Sequence, residues 1–156
     1  MKHQDQIKKF IGFIIDRENY KFDVYLINPT NVHYKRVIVF TGAFASEEDE
    51  LLQTSPLVKE KGELLPNSAL LIDSSDLGEL DFVIWYNLDL YPSGAVSPEM
   101  LSFSILKYPW NYKKKVVSLP ILNKEGIRID LKRRQNNKGI AKIAAEDKDT
   151  NKDVYV

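Results

Sequence analysis

Between Leu80 and Leu90 a large apolar side chain occupies every second position, at Leu80, Phe82, Ile84, Tyr86, Leu88 and Leu90, while Asp81, Asn87 and Asp89 fall between them. A period of two puts alternate residues on opposite sides of an extended chain, so the segment reads as a β-strand with one buried face and one face toward water. Such a strand needs partners along its edges and a second layer over its apolar face. The rest of the chain has to supply both.

Short runs rich in β-branched and aromatic residues recur at 22–27, 34–41, 69–73, 101–107, 116–122 and 127–131. With 80–90 they make about seven strands, the number expected of a sandwich. Asn28-Pro29, Gly42, Gly78, Pro92, Gly94 and Pro98 punctuate them. The gaps are mostly too short for the crossover helices of a parallel sheet, so the pairing should be antiparallel. The reading for residues 20–131 is therefore mainly β, an antiparallel two-sheet β-sandwich, immunoglobulin-like or jelly-roll-like. Its core is expected to include Phe82, Ile84, Tyr86, Leu88, Val39, Phe103 and Ile129.

Two segments read as helical. Ile7, Phe10, Ile11, Ile14 and Ile15 recur at three- and four-residue intervals, predicting an amphipathic helix over 4–18 that packs on the domain or on a partner. Ser46 stands three residues before Asp49, with Glu47 and Glu48 between, a capping arrangement that predicts a short helix near 47–53. After Leu131 apolar residues thin out, and 132–156 reads as a polar, charged C-terminal extension. The chain thus divides into an N-terminal helix (1–19), the sandwich (20–131) and that extension, within the 156 residues of one domain.

Composition narrows the function classes. Lys plus Arg equals Asp plus Glu at 22 each, so no overall field steers the molecule onto nucleic acid or an acidic surface. The absence of Cys removes disulfides, thiol nucleophiles and zinc-thiolate sites, and it suits a reducing, cytoplasmic setting. The apolar run at 10–15 is shorter than an export signal requires, and no stretch reaches the length of a membrane span. The seven glycines are scattered, so no phosphate-cradling loop and no cofactor are expected.

Metal and acid–base chemistry find little support. Only His3 and His33 offer imidazole, and His33, beside a strand start, reads as structural. Asp73, Asp76, Glu79 and Asp81 gather oxygen ligands near a turn, a calcium candidate without the EF-hand spacing, for which a solvated turn is the better reading. Asp81 and Asp89 lie too far apart on one strand to act as a glycosidase pair. Ser104 and Lys107 spell Ser-x-x-Lys, but in a strand rather than at a helix start.

Two segments remain as binding surfaces. Tyr108, Trp110 and Tyr112 surround Pro109 between two predicted strands, forming either an aromatic recognition loop or a plug for the sandwich end. Lys132, Arg133 and Arg134, with Lys138 and Lys142, form a window of positive charge without an acid, suited to phosphate or to solvent. With no identifiable nucleophile, metal cage or cofactor loop, the chain reads as a non-catalytic protein-interaction or structural module. It is expected to be a homo-oligomer or a subunit of a larger assembly, because an uncovered Ile and Phe stripe asks for a partner. The alternatives are a nucleic-acid-associated protein using 132–142 and a hydrolase with dispersed carboxylates.

Overall fold

The computed structural model describes residues 8–47, 50–106 and 116–134. In chain order the strands are β1 (Phe10–Asp16), β2 (Lys21–Asn28), β3 (Tyr34–Glu47), β4 (Glu50–Gln53), β5 (Leu57–Leu64), β6 (Ser68–Asp76), β7 (Val83–Pro92), β8 (Glu99–Ile105), β9 (Val116–Leu119), β10 (Lys124–Asp130) and β11 (Lys132–Arg133). One sheet has the order β6-β2-β1-β10-β9. The other runs β11-β8-β7-β3-β4, with β5 also paired to the long strand β3. Every strand pair is antiparallel.

The two sheets enclose one core. Ile11 and Phe13 of β1, Phe22, Val24 and Leu26 of β2, and Ile127 of β10 meet Val37 and Val39 of β3, Tyr86, Leu88 and Leu90 of β7, and Phe103 of β8. All are buried. Of the expected core residues, Ile129 is half-buried against this cluster and Phe82 is half-buried just before β7.

Each of the seven predicted segments overlaps a strand, but seven undercounts them, and at neither expected helix do the described residues form one. Residues 10–16 pair with β2 on one side and β10 on the other. The cause of the misreading is that β1 is covered on both faces. Ile11 and Phe13 enter the core, while Phe10 packs behind it with Ile27 and Leu119, and Ile14 and Leu122 join them. A strand apolar on both sides loses its period of two, and its apolar positions then also fit a helical stripe. Gly12 belongs to this packing, since a Cβ there would lie 2.9 Å from Ile27 Cδ1 and 3.0 Å from Leu119 Cδ1. From Phe10 to Ile15 the stripe is therefore covered within the chain and no longer calls for a partner, and Ile7 lies outside the described residues.

Local signals were also overridden at the second predicted helix. Residues 50–53 form β4, pairing with the end of β3 from Phe44↔Gln53 to Glu47↔Glu50. Backbone pairing along a strand already in place outweighs a capping pattern of about 1 kcal/mol. The extra strands β5 and β11 are mostly exposed, and the run of charges in the middle of β5 and the two cations of β11 carried no alternating apolar signal to read.

The supposed wet face of β7 is also buried. Trp85, Asn87 and Asp89 are 7%, 0% and 1% exposed. Trp85 lies flat over Gly42, where a Cβ would come within 2.6 Å of the indole, and Phe44 and Val83 join it. Asp89 accepts from Arg134 at 2.6 Å, and the same guanidinium donates to the carbonyls of Leu88 at 3.0 Å and Leu101 at 3.1 Å. Next to this pair both amide atoms of Asn87 are buried without a hydrogen-bond partner among the described residues.

A polar bridge crosses between the sheets. The register shift between Val24 and Tyr25 leaves Ile72 of β6 unmatched, and this bulge turns Asp73 inward beside Ile72. Tyr86, stacked on Phe103 at 4.5 Å between ring centroids, donates its hydroxyl proton to Asp73 at 2.7 Å, and Lys59 of β5 reaches the other carboxylate oxygen at 3.1 Å. Burial, and then the Asp73 charge, raise the Tyr86 phenol well above its ordinary pKa.

Neighbouring positions on β7 should therefore respond differently in urea denaturation. Asp89→Ala strands a buried guanidinium and is expected to cost about 3–5 kcal/mol, comparable to the roughly 2–5 kcal/mol of Ile84→Ala. Asn87→Leu removes two unpaired polar atoms and should leave stability unchanged or higher. A cheap Asp89→Ala would mean that the back of β7 is wet.

Candidate functional site

Where β10 ends, Leu131 carries the chain from one sheet to the other, and β11 joins the second sheet with Lys132 opposite Ser102 and Arg133 opposite Leu101. Alternation then separates three consecutive cations. Arg133 shares the core side of the sheet with Leu101, while Lys132 and Arg134 take the other side. Arg134 is held by Asp89, whereas Lys132 and Arg133 are exposed. The three residues read as one basic patch thus have three different situations.

At this corner β1 begins. Because Phe10 pairs with Asp130, the two lysines preceding Phe10 arrive beside Leu131 and Arg133 from the far end of the chain. Lys8, Lys9, Glu99, Leu101, Leu131 and Arg133 line a cavity of about 310 Å³. Its apolar wall is Leu101 and Leu131, and its rim carries three cations and one carboxylate.

Glu99 is already occupied. Its Oε1 accepts from the Tyr34 hydroxyl at 2.7 Å and lies 3.1 Å from Lys9 Nζ, which also stands 5.1 Å above the Tyr34 ring. Tyr34 is buried, and its burial together with the hydrogen bond and charge of Glu99 pushes its pKa well above the usual phenol value. Lys9 is thus fixed in place and largely neutralised. Lys8 and Arg133 have no ion-pair or hydrogen-bond partner among the described residues, so they are the charges available to a ligand. A second cavity, of about 260 Å³, lies toward the other end of β1. It carries Arg17 and Glu125, whose opposite signs give it no net preference.

The remaining sequence candidates are dispersed. Tyr108, Trp110 and Tyr112 lie outside the described residues, as do His3, Lys107, Lys138 and Lys142. Of the four carboxylates considered for calcium, Asp73 serves Tyr86 and Lys59, Asp76 accepts from the Gly78 N–H at 2.7 Å, and Glu79 and Asp81 are exposed. Among the described residues no three His, Asp or Glu side chains come together as a metal cage, and no helix is long and apolar enough to cross a membrane.

Sequence reasoning missed Lys8, Lys9, Tyr34 and Glu99. The role of the two lysines depends on the pairing of β1 with β10, which no local pattern announces. No family model matches the chain, and neither does any curated protein.

Tyr34 and Tyr86 give the fold an alkaline limit. With their folded pKa values raised, both keep their protons while tyrosines of the unfolded chain lose theirs near the ordinary value of about 10. Above that pH the unfolded state binds fewer protons, so stability is fully present below about pH 10 and falls as pH rises further. Urea midpoints measured across that range should drop for the native protein and drop less for Tyr34→Phe. An identical slope in the variant would mean that Tyr34 is not held by Glu99.

Proposed function

We propose that this β-sandwich is a protein-interaction module that binds an acidic segment of a partner protein at the basic corner. The observation that carries the reading is the convergence of Lys8 and Arg133, both without partners among the described residues, on a cavity walled by Leu101 and Leu131. A carboxylate between two free cations forms charge-assisted hydrogen bonds, and an adjacent apolar side chain fills the leucine wall, so an acidic-apolar peptide matches both halves. Tyr34, behind the lining, and Lys9 hold Glu99 in place, which lowers the ordering cost of binding.

Nucleic acid fits this corner less well. Arg134 is committed to Asp89, Glu99 places a negative charge in the cavity, and among the described residues the lining includes no aromatic ring on which a base could stack. A homo-oligomer remains compatible with the module if the acidic segment belongs to a second copy.

Fluorescence anisotropy with a labelled peptide of alternating Glu and Leu tests the reading, beside a Lys and Leu peptide and a single-stranded oligonucleotide. The acidic peptide should bind, weaken with added salt, and lose about tenfold or more in affinity with either Lys8→Glu or Arg133→Glu. Equal binding of both peptides, or no effect of the two variants, would sink the proposal. Tighter binding of the oligonucleotide that depends on Arg133 would replace it with the nucleic-acid reading.

A further inference from the structure

The sequence shows no nucleophile in any local motif, yet the fold assembles one from residues far apart in the chain. Tyr34 at the start of β3 pairs with Leu64 of β5 on one side and Pro92 of β7 on the other. His33 and Ser93 lie one residue beyond the pairing with β7, and Glu63 adjoins Leu64. Ser93 Oγ is 2.7 Å from His33 Nδ1, and His33 Nε2 is 2.8 Å from Glu63 Oε2. The backbone fixes the first contact, because the Ser93 N–H donates to the His33 carbonyl at 2.9 Å.

The chemistry of these atoms sets their roles. A carboxylate only accepts, so the ring nitrogen facing Glu63 carries the proton, and in the neutral imidazole Nδ1 is left with a lone pair toward Ser93. The Ser93 hydroxyl then donates to a base that is itself oriented by an acid, the arrangement that activates a serine. We propose that Ser93, His33 and Glu63 form a serine-hydrolase triad that cleaves reactive acyl esters, with Ser93 as nucleophile, His33 as general base and Glu63 as a positioning residue.

In the first step Ser93 Oγ bonds to the ester carbonyl carbon while its proton passes to His33 Nδ1. The tetrahedral adduct collapses, the bond to the leaving oxygen breaks, and that oxygen takes the proton from His33, leaving an acyl-serine. Water then attacks the acyl carbon and gives a proton to Nδ1. Collapse releases the carboxylic acid and returns the proton to Ser93.

The surroundings define the substrate class. Ser93 is exposed and Gly94, which follows it at φ +83, leaves the turn open. Of the three consecutive N–H groups, those of Ser93 and Ala95 are given to the His33 and Pro92 carbonyls, while that of Gly94 has no partner among the described residues and is the one this turn can offer a developing oxyanion. Each oxyanion donor is worth about 10²–10³ in rate. With one donor and an exposed nucleophile, esters with good leaving groups fit, and amides do not.

The full-length protein is incubated with p-nitrophenyl acetate, and separately with a fluorophosphonate probe followed by intact mass and peptide mapping. The expected result is measurable hydrolysis and a single adduct on Ser93. Both should vanish in Ser93→Ala, and hydrolysis should slow about 100-fold or more in His33→Gln. Glu63→Gln should lower kcat with KM unchanged, and Glu63→Asp should restore part of the loss, a pattern that a role confined to fixing the loop does not produce. No adduct on the native protein, an adduct elsewhere, or labelling of Ser93 at the same rate in His33→Gln overturns the triad. The native labelling result decides even if a variant fails to fold, and the outcome is independent of peptide binding at the basic corner.

Discussion

The buried pair of Arg134 and Asp89 holds the part of the fold on which the basic corner depends. A carboxylate in the centre of a sheet is tolerable only when a partner and further hydrogen bonds replace its water. Arg134 satisfies that requirement from the edge, reaching across β8 to β7 and binding two main-chain carbonyls on the way. Its own N–H donates to the Met100 carbonyl at 2.8 Å, which extends the pairing of β11 with β8 by one position. β11 has only two residues of its own, too few to hold a register alone. The register that places Arg133 opposite Leu101, and therefore over the cavity, is set by its neighbour's commitment to Asp89.

A second polar network does comparable work between the layers. Tyr86 and Asp73 come from different sheets, and apolar packing alone resists sliding of one layer over the other only weakly in direction. The bulge at Ile72 re-aims Asp73, Lys59 balances its charge, and the Tyr86 ring rests on Phe103. Three kinds of interaction thus fix one relative placement of the sheets.

How much of this was legible in the sequence depended on whether a pattern was local. The core face of β7 could be read because Ile84, Tyr86, Leu88 and Leu90 alternate with other residues, and that period survives whatever packs against it. Its other face could not, since Asp89 and Asn87 are polar by composition, and only the arrival of a distant arginine makes burial of the aspartate tolerable. β1 failed for the opposite reason, having too many apolar residues to show a face. The basic corner was half legible. Arg133 and Lys132 stood out as a charge run, but alternation along β11 and the approach of Lys8 are consequences of pairing. The Ser93, His33 and Glu63 contacts were invisible for the same reason.

The pairing of Phe10 with Asp130 has a consequence for how the molecule comes into being. β1 is an inner strand of its sheet, flanked at once by β2 but completed on the other side only by β10, after nearly all of the described chain has been made. During synthesis on the ribosome the N-terminal hairpin therefore waits with one edge of an apolar strand unpaired, the kind of edge that recruits other chains. Contacts so distant in sequence also slow the search for the native topology. Chaperone demand, and the fate of chains interrupted before β10, should accordingly be governed by this one late strand rather than by the stability of the finished sandwich.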